Sequence, residues 1–529
     1  MNTRLLWGGS LTLIVAAVAA CGSSSDDAAT GMPGAGGSGA AGPYNSATGG
    51  GYGYGANGGT GYAGSAGAYA GIGGAGEARP DGGAAGAAGA DAGDAGDKCA
   101  ALDDSKDAVF FLSADDSNSM ASPAIVRAML NDGASIPKHI IRTYEFLNYY
   151  NVGYAPAETG KLAIVPEMRA GETEGSFELT LGVASAAAPA ARRPMVLTFV
   201  LDTSGSMAGE PISLQQEVVK VLAGELQKGD KVSVVTWNTS QAVLLDSHVA
   251  TGPNDATLVK LATSTTASGG TDLSGGLQKG YQIAQKNFDA NKLNRVIVIS
   301  DGQANVGITD ENIIGQGAQL NDGDGIYLVG VGVGHGVNDT LMDTVTDAGR
   351  GAYVFIDSAA EAKRMFDTRF DEVMDVAARA VQVELRLPWY MGIEKFYGEE
   401  YSTNPKEIEP QHLAPNDAMV FSQIVSACNV SNYSAEDPIE VVARWETPVA
   451  HLKQETSVQS TFSKLLATQS KYQDKAAAII AYAEALKDPG VKGENLDAAL
   501  AKVDAADPNK TDPELSEIRT LIGKAKLQY

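Results

Sequence analysis

Histidine and cysteine are scarce in this chain, with five and three among 529 residues, and 39 lysines and arginines face 64 aspartates and glutamates. The histidines, His139, His248, His335, His412 and His451, are scattered without ligand spacing, which argues against a zinc centre. A formal net charge of -25 repels phosphate backbones and anionic lipid, so nucleic acid and polybasic membrane contacts are excluded. The apolar run Leu11 to Ala20 is too short to span a bilayer. No Gly-x-Ser-x-Gly elbow surrounds Ser204 or Ser206. Residues 224–231 approach a phosphate loop, but Asp230 stands where the lysine is needed, and the segment reads as a helix end capped by Gly229. Residues 59–64 match a dinucleotide fingerprint by spelling only, with no strand before them and no helix after.

The first twenty residues have the layout of a signal peptide, with one positive charge at Arg4 and an apolar run that stops at Cys21. Val18-Ala19-Ala20-Cys21 resembles a bacterial lipobox, which implies a diacylglycerol on Cys21 and loss of residues 1–20. Gly22 after that cysteine resembles the outer-membrane sorting pattern of Gram-negative bacteria. An ordinary secretory signal would instead leave Cys21 a plain thiol. Cys99 and Cys428 remain, either paired in an oxidising compartment or as two free thiols.

Residues 22–98 hold 27 glycines in 77 positions, with Met32 and Ile72 the only large aliphatic residues. Such a stretch cannot bury enough apolar surface to offset its ordering entropy, so residues 21–98 read as a tether with a reach of roughly 50 Å. Folded sequence begins near Val109, with helices expected over 122–131 and 137–150 and alternating strands around 162–165 and 177–183.

The texture changes within 194–378. Short, nearly continuous apolar runs at 195–201, 232–237, 296–300, 326–331 and 352–356 are typical of strands covered on both faces, as in a parallel sheet. Segments between them carry helical spacing, as in Leu273, Leu277, Tyr281, Ala284 and Phe288. This pattern predicts a doubly wound, Rossmann-like α/β domain with a mostly parallel central sheet. Strands return at 381–387, 418–425 and 439–445, giving a β-rich region over 379–450, and 451–529 reads as helices, the last with Asp512 as N-cap and Pro513 at its first position. Alternating patterns before residue 190 and after residue 380, neither sufficient alone, predict one β-rich domain with the α/β segment inserted.

Asp202-Thr203-Ser204-Gly205-Ser206 follows the first strand of the α/β segment, and Asp301 follows the strand at 296–300. With strand order 3-2-1-4-5-6, those two strands flank the crevice in which open α/β sheets bind ligands. Ser268-Gly269-Gly270-Thr271 lies between them in sequence, and its glycines let a loop pass close by. Five oxygen-bearing side chains, Asp202, Ser204, Ser206, Thr271 and Asp301, suit Mg²⁺ or Mn²⁺ better than Zn²⁺. With only two carboxylates among them, an open coordination position is suited to an Asp or Glu carboxylate from a protein partner.

These five positions resemble the metal-ion-dependent adhesion site of von Willebrand factor type A (VWA) domains, including Met207-Ala208-Gly209 after the serines. The resemblance implies that the hydroxyls of Ser204, Ser206 and Thr271 ligate the metal directly and that Asp202 and Asp301 often act through water. Residues 135–150 look like the N-terminal region of bacterial YfbK-like proteins, so 99–190 is expected to be a helix-plus-strand region of that kind. The implied function is a non-enzymatic, metal-dependent protein-binding module, held to the membrane by its lipid alone. Two alternatives stand beside it: a Mg²⁺-dependent phosphohydrolase, which would want a carboxylate where Ser204 stands, and an envelope scaffold that uses no metal.

Overall fold

The computed structural model describes Cys99 and residues 102–115, 118–308 and 325–529; the expected signal peptide, Cys21 and the tether lie outside the described residues. The chain enters through strand β1 (Ala108–Ser113), two helices at Ala121–Asn131 and Thr143–Tyr149, and the hairpin of β2 (Ala163–Ala170) with β3 (Ser176–Ala184). The helix expected over 137–150 is shorter than its pattern. Ser122 Oγ donates to Ile140 O and accepts from Arg142 N, and Ile141 leaves helical geometry, so only Lys138–Ile140 forms a 3₁₀ turn before Thr143.

The α/β unit follows: β4 (Met195–Asp202), β5 (Lys231–Trp237), β6 (Gln241–Val249), β7 (Leu293–Ser300), β8 (Ile326–Val333) and β9 (Tyr353–Ile356). Their order is β6-β5-β4-β7-β8-β9, parallel throughout except for β6. Numbered within the unit this is 3-2-1-4-5-6, the order on which the crevice argument depends. Every residue of β4, β7 and β8 is buried, because helices cover both faces. β6 gave no such signal in the sequence: it is an exposed, bulged edge strand.

The chain then returns through β10 (Ala378–Leu387), β11 (Met391–Phe396), β12 (Glu400–Ser402), β13 (Gln411–Leu413), β14 (Ala418–Ala427), β15 (Pro438–Glu446) and β16 (Lys453–Thr461). One sheet runs β12-β1-β10-β15-β16 with β13 also on β10, and the other runs β11-β14-β3-β2. β1 pairs with β10 and β3 with β14, so residues 99–190 and 379–450, separate in sequence, form one sandwich in space. Leu179, Leu181, Leu385, Phe421 and Val441 fill its core.

The first part of 451–529 is strand rather than helix. β16 is a polar edge strand with Val458 as its one aliphatic residue, so it offers no apolar alternation to read. The helical stripe that follows is broken in two, at Phe462–Ala467 and Gln473–Lys487. The buried Glu167 of β2 causes the break: its carboxylate accepts from the amides of Lys471, Tyr472 and Gln473 and takes the place of the missing helical turn. Helices Glu494–Ala506 and Pro513–Lys526 complete the tail, the latter capped by Asp512. They share the core of the α/β unit and of the two early helices. Arg127 ties all three parts together by pairing with Asp357, Glu361 and Glu517.

The phosphate-loop near-miss has a structural explanation. The helix Glu210–Gly224 ends before Gly229, which instead turns the chain towards β5 at φ +98°. Buried Asp230 receives Met195 N, Gln227 N and Arg192, and so fastens the loop to the start of β4.

Cys99 and Cys428 are joined by a disulfide that closes a 329-residue separation, with Cα atoms 5.3 Å apart. It fixes the start of the folded chain beside β14. A disulfide typically contributes about 2–4 kcal/mol, chiefly by constraining the unfolded chain. Urea unfolding of the oxidised protein against the Cys99→Ser, Cys428→Ser double variant should show a loss of that size; coincident transitions would deny the bond a stabilising role.

Candidate metal centre

β4 and β7 are adjacent parallel strands, registered from Met195 opposite Leu293 to Leu201 opposite Ile299. The sheet order reverses between them, so their carboxyl ends open a crevice into which Asp202 and Asp301 project from separate connections.

Three loops are stitched together around that point. In the first, Asp202 Oδ1 accepts from Ser204 N at 2.8 Å and Oδ2 from Ser300 Oγ at 2.6 Å. A 3₁₀ turn at Gly205–Met207 brings Ser204 Oγ and Ser206 Oγ within 3.0 Å of each other. The second loop is tied to the first by Ser268 N to Thr203 O at 2.7 Å and Gly205 N to Gly269 O at 3.0 Å. Gly269 has φ +84°, and a Cβ on Gly270 would stand 2.7 Å from Val306, so this approach requires the paired glycines. The third loop, after β7, holds the second: Asn305 Oδ1 accepts from Thr271 N at 2.9 Å, while Asn305 N and Val306 N donate to Thr271 O. Asp301 is fixed in turn by Gln303 N on its carboxylate and Asn338 N on its carbonyl.

The three loops that carry the five sequence-predicted residues are therefore bonded to one another: Ser204 contacts both Asp202 and Ser206, Asp301 lies close enough to act on the Asp202 charge, and Thr271 is held to the third loop through its backbone. Asp202, Ser204, Thr271 and Asp301 are buried, whereas Ser206 is exposed, so the cluster has a closed floor and an open rim. Burial is the main force that pushes the Asp202 carboxyl up to about 6; the charge of Asp301 adds to it, and hydrogen bonds from Ser300 and Ser204 oppose it.

The donor set fits a small hard cation. It contains carboxylate and hydroxyl oxygens and neither nitrogen nor sulfur. Two ligands at right angles on an octahedral ion with bonds of 2.0–2.1 Å stand about 3.0 Å apart, the separation of the two serine hydroxyls. A cation would also relieve the enforced proximity of the two carboxylates.

Several supporting residues escaped the sequence reading. Ser300 and Asn305 left no signal, since each acts on a partner from another loop. Gln215, on the helix Glu210–Gly224, donates to Asp202 O at 3.1 Å and is hidden there among apolar neighbours. His335 takes no part: it sits on the surface between Asp132 and Glu210.

The model of the von Willebrand factor type A domain matches residues 197–368. The chain is 32% identical over 197 residues to the uncharacterized protein YfbK of Escherichia coli (strain K12), covering 36% of this chain and 34% of YfbK. It is 25% identical over 219 residues to the uncharacterized protein sll0103 of Synechocystis sp., covering 41% and 51%. With inter-alpha-trypsin inhibitor heavy chain H2 of Sus scrofa it shares 26% over 192 residues, 33% of this chain and 20% of that one. The chain thus spans between a fifth and a half of these relatives' lengths. Among solved structures, a von Willebrand factor type A protein from Catenulispora acidiphila aligns with a TM-score of 0.45 at 16% identity, over 68% of this chain and 89% of that one. The inserted α/β unit is a von Willebrand factor type A domain, and the protein is one of the bacterial chains that carry this domain, homologous there to YfbK.

Proposed function

We propose that the protein is a metal-dependent protein-binding module of the bacterial envelope, held to the outer membrane by a lipid on Cys21. The observation that supports the reading is the bonding together of the three loops that carry Asp202, Ser204 and Ser206, Thr271, and Asp301 at the carboxyl ends of β4 and β7, with Ser206 exposed. Ser204, Ser206 and Thr271 would hold Mg²⁺ or Mn²⁺ through their hydroxyls, with Asp202 and Asp301 balancing its charge. When bound, the metal supplies a Lewis-acidic position for one more oxygen ligand. Two carboxylates leave a divalent ion able to attract a third, so an Asp or Glu side chain of a protein partner is the ligand the site fits. A phosphohydrolase using an aspartyl nucleophile needs a second carboxylate two residues on, where Ser204 stands.

Titration of Mg²⁺ and Mn²⁺ into the metal-stripped protein should give one-to-one binding that is lost in Asp202→Asn. Because the native carboxylate is held above its ordinary value by burial, its charged form destabilises the metal-free fold, increasingly as pH rises through about 6. Asp202→Asn should therefore be at least as stable as the metal-free wild type at pH 7, so that lost binding cannot be ascribed to unfolding. Equal metal affinity in the two proteins would refute the site.

A proton competes with the metal at the same carboxylate. Affinity measured from pH 7.5 to 5 should fall as pH drops through about 6, and a flat profile would show that Asp202 does not sense the ion.

The anchor is tested separately. Wild-type protein expressed with its leader should partition into the detergent phase of a Triton X-114 extract, and Cys21→Ser should move to the aqueous phase; identical partition would remove the lipid from the proposal.

A further inference from the structure

A cavity of about 220 Å³ lies at the amino ends of β7 and β8, the end of the sheet opposite the metal crevice. Lys292, Arg295 and Tyr327 line it from the α/β unit, Arg193 from the connection into that unit, and Arg379 and His451 from the sandwich. Among the described lining residues there is no aspartate or glutamate, in a chain whose net charge is -25.

Arg295 is 4% exposed, makes no ion pair among the described residues, and spends one donor on its neighbour's carbonyl, Asn294 O, at 2.9 Å. Its guanidinium stands 4.9 Å from the centre of the Tyr327 ring, and that of Arg379 stands 5.6 Å from the same ring. Two like charges thus share one aromatic ring. Burial pulls the Arg295 pKa down to about 10; Asp375, which pairs with Arg193, and Tyr327 oppose the shift, and the charge of Arg193 adds to it. Arg379 Nε is buried without a hydrogen-bond partner, while its Nη1 donates to His451 Nε2 at 2.7 Å.

The backbone is irregular at the positions that present these groups. β10 carries a bulge between Ala378 and Val381, and Ala380 within it has φ +47°. His451 has φ +53°. Left-handed geometry at a non-glycine residue costs of order 1–3 kcal/mol, and bulges re-aim side chains.

We infer that this cavity binds a small polyvalent oxyanion, a di- or tricarboxylate or a phosphate, with Arg295 and Arg379 as its principal donors and Lys292 beside them. The anion fills the unused donor capacity of two guanidiniums and offsets their mutual repulsion. The volume lies below the roughly 300–1,000 Å³ of sites for drug-sized ligands, so the ligand is small. Its donors come from both the α/β unit and the sandwich, and binding therefore braces one against the other.

The test is thermal unfolding of the full chain with 10 mM citrate or 10 mM inorganic phosphate, against chloride at matched ionic strength. Citrate also chelates metal, so each arm is repeated in Asp202→Asn with EDTA throughout. A ligand present at ten times its dissociation constant should raise the midpoint by about 1–2 °C. The rise should persist in Asp202→Asn and vanish in Arg379→Gln, which alters a partly exposed side chain; Arg295→Gln should abolish it too wherever that buried variant folds. A response to citrate alone identifies a carboxylate ligand, and a response to phosphate alone a phosphate. No rise with either probe, a rise matched by chloride, or a rise unchanged in Arg379→Gln would overturn the proposal.

Discussion

Two strand pairings, β1 with β10 and β3 with β14, reach across the whole α/β insertion, and the rest of the molecule depends on them. Neither sheet of the sandwich is complete until both ends of the chain have come together. The VWA domain must therefore leave and re-enter through two neighbouring connections, and Arg193 before β4 pairs with Asp375 before β10 at 2.5 Å to hold them side by side. The disulfide beside β14 fastens the same closure from outside.

Within the insert, the determining constraint is electrostatic. The end of β4 buries a carboxylate beside a second one, and the surrounding protein answers with hydroxyls and amides rather than with a cation of its own. At the other end of the sheet the imbalance has the opposite sign, with arginines gathered and no acid among the described lining residues. Each end therefore gathers charge of one sign, offset at the arginine end by the single pairing of Arg193 with Asp375.

Most of the α/β unit was legible because a sheet buried on both faces writes itself as continuous apolar runs, and because the Asp202–Ser206 segment and Asp301 sit directly after two of those runs. The strand order could be assumed from the fold class and was found as assumed. What the sequence hid was whatever depends on a partner elsewhere. Glu167 breaks a helical stripe three hundred residues away, Ser300 orients Asp202, and Asn305 holds Thr271, and none of these leaves a local pattern. Edge strands were hidden for a different reason: β6 and β16 are exposed, so their residues carry no burial code. The arginine cavity combines both difficulties, since its three arginines come from three segments and look in sequence like ordinary surface cations.

A domain inserted between paired strands is suspended rather than strung. Load applied at the carboxyl ends of β4 and β7 and resisted at Cys99 does not pass through a single peptide linker; it divides between the segments entering β4 and leaving towards β10, and Arg193 with Asp375 bridges them. It then meets antiparallel pairs β3 with β14 and β1 with β10, while the disulfide ties Cys99 directly to the far end of β14. Pulling therefore loads several rows of hydrogen bonds and one covalent bond together, and the von Willebrand factor type A domain lies inside the loop that this covalent bond closes.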